Sequence, residues 1–212
     1  DDTALITSSK LTKTLLKKME NGLQTCNKYF FKWKIKINPS KTQAIIFPFN
    51  RSPKRIPNRQ LNFQNDHVDI QKNVKYLGVV LDNKLNFGKH IDEVCNKAAK
   101  TIRALWPLIH KRSTLNFNNK NLIFKNIIRP TLTYGCPLWY KAARTHLKKL
   151  QVIQNKCLKI INNKHWRFST SLLHNETGYD KIIEHITKLN FKYYNKVENS
   201  TYHMIRFCSE YT

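Results

Sequence analysis

From His90 onward the apolar residues recur at spacings of three and four, a period that suits helices and leaves strands no way to bury them. Ile91, Val94, Cys95, Ala98, Ile102, Leu105 and Ile109 form one such face, disturbed at Pro107. Asn118–Ile128 predicts a second helix, bounded by Pro130. Thr145 is placed as the cap of a third, with Leu147, Leu150, Ile153, Cys157, Ile160 and Ile161 inward and Lys148, Lys149, Lys156 and Lys159 off that face. A last helix is predicted over 181–197. The segment "TYGCPLWY" is apolar and aromatic but fits no period, and the tail after Asn199 is weakly patterned.

The first part of the chain mixes periods. "TALIT" (Thr3–Thr7) alternates weakly and predicts a strand, after which Ser8 or Ser9 is positioned to cap a helix. In that helix Leu16, Met19, Leu23, Cys26, Phe30 and Trp33 make one apolar stripe, which assigns Phe30 and Trp33 to the core. Pro39, in "KINPSK", ends it, and "TQAIIF" predicts a strand. Residues 48–66 hold three prolines and four basic residues and predict a loop or mobile insertion. "VDI" and "VKYLGVVL" predict strands, with Gly78 inside the second as a place where another backbone comes close. Asp82-Asn83 supplies turn chemistry. The class is therefore α+β, with a mixed first part and a helical second part and a seam near Phe87–His90.

Charge separates the two parts further. Lys plus Arg number 38 against 13 Asp plus Glu, a net charge of +25. Between Glu93 and Glu176 there is no acid, while 16 Lys and Arg run from Lys97 to Arg167. A/T-rich codon usage would inflate lysine, but it does not remove acids from the middle and restore them at Glu176, Asp180 and Glu184. The pattern points to a polyanionic partner, nucleic acid foremost. Trp106, Trp139, Tyr140 and Trp166 lie among these cations; periodicity assigns them to the core, with base stacking as the alternative. The five cysteines (Cys26, Cys95, Cys136, Cys157 and Cys208) form no C-x-x-C and read as buried thiols of a reducing compartment. His90, His110, His146 and His165 show no ligand spacing, and the glycines form no phosphate-cradling loop. No apolar run approaches the roughly 20 residues of a membrane span.

The first two residues, Asp1 and Asp2, pair carboxylates as Mg²⁺ sites in phosphoryl transfer do, though a lone acidic pair is a weak signal. The order "DDTA", then "KWKIKINPSKTQAIIF", "VKYLGVVLDNKLNFGKHI" and "RPTLTYGCPLWYKAARTHLKKLQVIQNKCLKI" is more specific in combination. It closely resembles the reverse transcriptase of non-LTR retrotransposons, especially the jockey-like group, from Asp1 to roughly Tyr179. The resemblance implies an incomplete polymerase palm over 1–87, a basic helical thumb-like region over 88–168 and a helical extension over 169–212. It implies Asp1 and Asp2 as catalytic ligands of Mg²⁺, with Asp1 the main one, and Lys41 near the departing pyrophosphate; Lys41 reads equally as a surface lysine after a Pro turn. It implies that Tyr76, Leu77 and Gly78 belong to the primer-grip hairpin, a reading compatible with a buried core strand. Lys97, Lys100, Arg103, Lys148, Lys149, Lys156 and Lys159 would hold nucleic acid, an RNA template with a DNA primer or a duplex, with no membrane partner. A cytoplasmic ribonucleoprotein and the nucleus would be its places.

The sequence departs from the family pattern at the active site. The third aspartate of an upstream palm strand, the Tyr/Phe-Ala before the acidic pair, and the fingers have no counterpart in these residues. The expectation is a 3′-side portion of a reading frame, truncated or decayed, that does not polymerise alone. A non-enzymatic nucleic-acid-binding protein descended from a transposon remnant is the rival reading.

Overall fold

A computed structural model of the chain describes residues 3–49, 60–63 and 66–202. The chain divides into two compact units, Asp1–Leu85 and Asn86–Thr212.

In the first unit the long stripe forms α1 (Thr12–Lys32), which packs Leu16, Met19 and Leu23 against the buried Leu61, Phe63 and Val68. Those three come from an antiparallel hairpin, β1 (Gln60–Phe63) and β2 (Asp66–Asp69), in which Leu61 faces Val68. Glu20 of α1 accepts a 3.1 Å hydrogen bond from the Asn62 N–H, tying helix to strand. The loop expected over 48–66 thus ends in a strand. Leu61 and Phe63 alternate with polar neighbours there, a period that the prolines upstream obscured. Phe30 is half-buried, but Trp33 is 64% exposed, so the stripe leaves the core at the last turn.

Two expected strands do not form. Thr3–Thr7 joins no ladder; Leu5 instead lies over Gly22 of α1, where a Cβ would come within 2.9 Å of its side chain. "TQAIIF" contributes a single bridge, Ala44 to Ile70, in parallel sense. A strand needs a partner along its length, and the described residues offer these two none. Neither Ser8 nor Ser9 caps α1, whose N-cap is Leu11; the Ser9 hydroxyl accepts from the Leu11 N–H instead.

A second hairpin, β3 (Asn73–Tyr76) and β4 (Val79–Asp82), closes through Leu77 and Gly78 alone. Both have positive φ, 46° and 80°, the backbone of the tight hairpin turns whose twist matches that of their strands. Gly78 is therefore a turn residue and not an interior strand residue. The Asp82 carboxylate accepts from the Lys84 N–H at 3.0 Å, the turn chemistry read from Asp82-Asn83.

The second unit is helical. It comprises α2 (Gly88–Ala104), α3 (Trp106–Ile109), α4 (Phe117–Ile123), α5 (Arg129–Thr133), α6 (Cys136–Trp139), α7 (Arg144–Ile161), α8 (Thr170–Thr177) and α9 (Ile182–Glu198). Its core holds Ile91, Ala98, Ile109, Phe124, Ile128, Leu132, Trp139, Leu150, Cys157, Leu158, Ile161, Leu173 and Ile182. Pro130 does not end the second helix. Phe124–Ile128 forms a π turn between α4 and α5, so the hydrogen-bond pattern shifts just before the proline ring and the chain stays helical to Thr133. The unpatterned "TYGCPLWY" turns at Gly135 (φ 64°) into α6, where the Trp139 indole N–H donates to the Tyr134 carbonyl at 3.0 Å. Thr145 lies inside α7, whose N-cap is Ala143.

Polar contacts hold α8 and α9 to this core. His174 sits between the Tyr179 carbonyl (2.7 Å) and Asn155 Oδ1 (2.9 Å), and Gln154 donates to the Asp180 carbonyl at 2.8 Å. Tyr179 is edge-on to Phe124, with the Arg129 guanidinium 5.6 Å from its ring centre. Burial lowers the Arg129 pKa, and the charge of Asp180 opposes that shift.

Of the four described thiols, expected to be buried, two are interior while Cys26 and Cys95 are only half-buried on their helices. Cys136 and Cys157 are buried, and burial pushes Cys157 up to about 12 and Cys136 up to about 11. Since the thiolate is the reactive form, iodoacetamide at mildly alkaline pH is expected to spare Cys136 and Cys157 in the folded chain and to modify both in denaturant, as read by peptide mass spectrometry.

Candidate nucleic-acid interface

Helices α2 and α7 of the second unit carry all seven predicted nucleic-acid contact residues. Gly88 of α2 lies against His146 of α7, where a Cβ would stand 2.8 Å from the ring. Four residues further along α2, Asp92 pairs with Lys149 of α7 at 2.6 Å. The helices therefore run side by side in the same direction. On α2 the buried residues are His90, Ile91, Val94, Ala98 and Ile102. Lys97, Lys100 and Arg103 are exposed and lie away from that stripe. On α7 the buried stripe is Leu147, Leu150, Gln154, Cys157, Leu158 and Ile161. Lys148, Lys149, Lys156 and Lys159 fall within about 100° of arc on the opposite side, at 3.6 residues per turn.

These cations are not equally available. Lys149 is held by Asp92, with both side chains about half exposed, a pair worth little in water. Lys159 donates to the Trp166 carbonyl at 2.7 Å and so fastens the turn beyond α7. Lys97, Lys100, Arg103, Lys148 and Lys156 make no ion pair among the described residues. Of the acids that return after the acid-free stretch, Glu176 pairs with Lys164 at 2.6 Å and Asp180 with Lys188 at 2.8 Å, while Glu184 accepts from the Lys181 N–H at 3.2 Å.

The aromatics expected in the core divide. Trp139 is fully buried and Tyr140 half-buried, but Trp106 is 48% exposed and Trp166 is 70% exposed. Trp166 closes no helical period; it sits in the turn after α7, which Asn163 enters with φ 54°. Asn162-Asn163 is a turn signal, and reading it as one would have placed Trp166 outside the core.

In the first unit, Lys41 ends a 3₁₀ turn, Pro39–Lys41. Asn38 builds that turn, its side chain accepting from the Ser40 N–H at 3.0 Å and its carbonyl accepting from the Lys41 N–H at 3.2 Å. The Lys41 side chain is exposed. Tyr76 and Leu77 are 37% and 58% exposed at the tip of the β3–β4 hairpin, with Gly78 beside them, while Val79 and Val80 are buried. Asp1 and Asp2 lie outside the described residues, as does Cys208. Among the described residues no three His, Cys, Asp or Glu side chains gather into a group that fits a metal ion, and no helix is long and apolar enough to cross a membrane.

No family model matches the chain, and no solved structure does. Curated proteins do. A probable RNA-directed DNA polymerase from transposon X-element of Drosophila melanogaster is 33% identical over 168 residues, 79% of this chain and 18% of that protein. One from transposon BS of the same species is 25% identical over 198 residues, 93% of this chain and 22% of the relative. The RNA-directed DNA polymerase from mobile element jockey of Drosophila funebris is 28% identical over 199 residues, 94% of this chain and 21% of the relative. The chain spans about a fifth of the length of these relatives. Over most of its length the chain is thus similar to a segment of RNA-directed DNA polymerases from transposons, the mobile element jockey among them.

Proposed function

We propose that the chain serves RNA-directed DNA synthesis as the part that holds the template and primer. Residues 88–168 act as a thumb-like region gripping the nucleic-acid backbone, with α8 and α9 of the helical extension packed on α7, and residues 1–87 belong to a palm. The observation that carries this reading is the set of exposed cations Lys97, Lys100, Arg103, Lys148 and Lys156, off the buried stripes of two parallel helices, without ion pairs among the described residues and all within the acid-free run 94–175. Lysine contacts of this kind recognise phosphates without reading sequence, which a polymerase requires. The tip of the β3–β4 hairpin, Tyr76-Leu77-Gly78, offers an exposed apolar edge suited to positioning a primer end. Lys41 has an exposed ammonium on a fixed turn and would stabilise a departing pyrophosphate. Asp1 and Asp2, outside the described residues, would hold Mg²⁺ in company with a further carboxylate.

Two measurements test the reading. Fluorescence anisotropy of a labelled RNA–DNA hybrid is expected to give an affinity that falls about 10²–10³-fold between about 50 and 200 mM salt, the loss expected for five or so phosphate contacts. A flat titration would overturn it. Incubated with primer–template, Mg²⁺ and deoxynucleotides, the 212-residue chain is expected to yield no extended product. Robust synthesis would show that the carboxylates within these residues suffice and that a holding role is too small a reading.

A further inference from the structure

The turn that follows α7 is built unlike a solvent loop. Lys159 Nζ donates to the Trp166 carbonyl at 2.7 Å, so the last turn of the helix fixes the loop's tip. The Arg167 N–H lies 3.3 Å from His165 Nδ1, and the Lys164 N–H donates to the Lys159 carbonyl at 2.9 Å. Lys164 Nζ stands 4.4 Å from the Phe168 ring centre and pairs with Glu176, anchoring the other end on α8. Within this frame Trp166 remains 70% exposed. The Arg167 guanidinium lies over its indole at 4.7 Å, and the His165 ring is 5.6 Å away, tilted by 38°. An indole this exposed contributes no core burial, and holding it in place costs conformational entropy. Its surroundings select among possible occupants. Lys156 lies one helical turn before Lys159 on the same face, Arg167 is adjacent, and Glu176, the nearest acid in sequence, is already paired with Lys164. A cationic frame around an open aromatic surface suits a nucleobase whose phosphate is neutralised beside it.

We infer that Trp166 is a stacking platform for an unpaired nucleobase, with Arg167 and Lys156 receiving the flanking phosphates. This deepens the proposed nucleic-acid role, on which it rests: the helical faces take the backbone, and Trp166 takes a base that is not in the duplex. It also sets the ligand class, since a blunt duplex offers Trp166 only an end pair, whereas an overhang or single strand offers a splayed base.

The test compares a blunt RNA–DNA hybrid with the same hybrid bearing a single-stranded overhang, by anisotropy with the full 212-residue chain. Trp166→Ala is expected to weaken binding of the overhang substrate about tenfold or more and to leave blunt-duplex binding and the salt slope nearly unchanged, while Trp166→Phe restores most of the loss. Circular dichroism of both variants should match the parent, because the side chain is exposed. Equal affinities of parent and Trp166→Ala for the overhang, with blunt-duplex binding intact, would overturn the stacking platform alone. Loss of neither substrate's binding on raising salt, or no binding of either, would overturn the nucleic-acid reading beneath it. Capture of a protein partner that depends on Trp166, with both nucleic-acid affinities unchanged, would assign the platform to protein docking and overturn the inference.

Discussion

Replacing Lys97, Lys100, Arg103 and Lys156 together by Gln is expected to weaken RNA–DNA hybrid binding by about a hundredfold at physiological salt and to reduce the salt slope by about 3–4, since each phosphate contact contributes roughly 0.9. The four side chains are exposed and none is ion-paired among the described residues, so the substitutions remove attraction to phosphate without opening the core. Exposed substitutions of this type usually change stability by no more than about 0.5 kcal/mol each, and the melting temperature should barely move. A variant at Lys164, whose ammonium is engaged with Glu176 and Phe168, is the matched control and should leave the slope almost unaltered. If the quadruple variant kept both affinity and slope, the cations of α2 and α7 would not be the interface.

The largest effect on stability is expected at Trp139. Its side chain is fully buried, its indole N–H is bonded to the Tyr134 carbonyl at 3.0 Å, and its ring stands 5.9 Å from that of His90. Trp139→Ala empties that volume and leaves the carbonyl without the indole donor, a change expected to cost about 3–5 kcal/mol. For a unit of this size that corresponds to a fall of about 10–20 °C in Tm, readable by calorimetry. Trp139→Phe, which refills much of the space but not the hydrogen bond, should recover more than half. A loss below about 1 kcal/mol for the alanine variant would show that the segment around Trp139 does not carry the helical core.

What could be read from the sequence followed the strength of its periods. The face Ile91, Val94, Ala98 and Ile102 came directly from three- and four-residue spacing, and so did Leu147, Leu150, Cys157 and Ile161, because long amphipathic helices repeat their signal several times. Thr3–Thr7 and "TQAIIF" failed for the opposite reason: a strand is completed by a partner, and a short alternation does not say whether one exists. Pro130 misled because a proline ends a helix only where the hydrogen bonds are regular, and the π turn at Phe124–Ile128 changes them in advance. The proposed interface was half legible. Charge named its cations, but no spacing could say that Lys149 would be drawn to Asp92 or Lys159 to the Trp166 carbonyl. Trp166 itself was hidden by the general tendency of tryptophan to be interior, which Asn162-Asn163 locally overrides.

The two-residue turn at Leu77-Gly78 has a bearing on time as well as shape. A hairpin closed by so short a connection forms on about the microsecond scale, before any distant part of the chain need be found. The pairing of α1 with β1 waits on a search between Glu20 and Asn62, 42 residues apart in the chain. In a refolding experiment, amide protection in β3 and β4 is therefore expected to precede protection of the Asn62 N–H, which needs α1 in place. The tip that faces outward in the finished structure would then be among the first parts of its unit to exist.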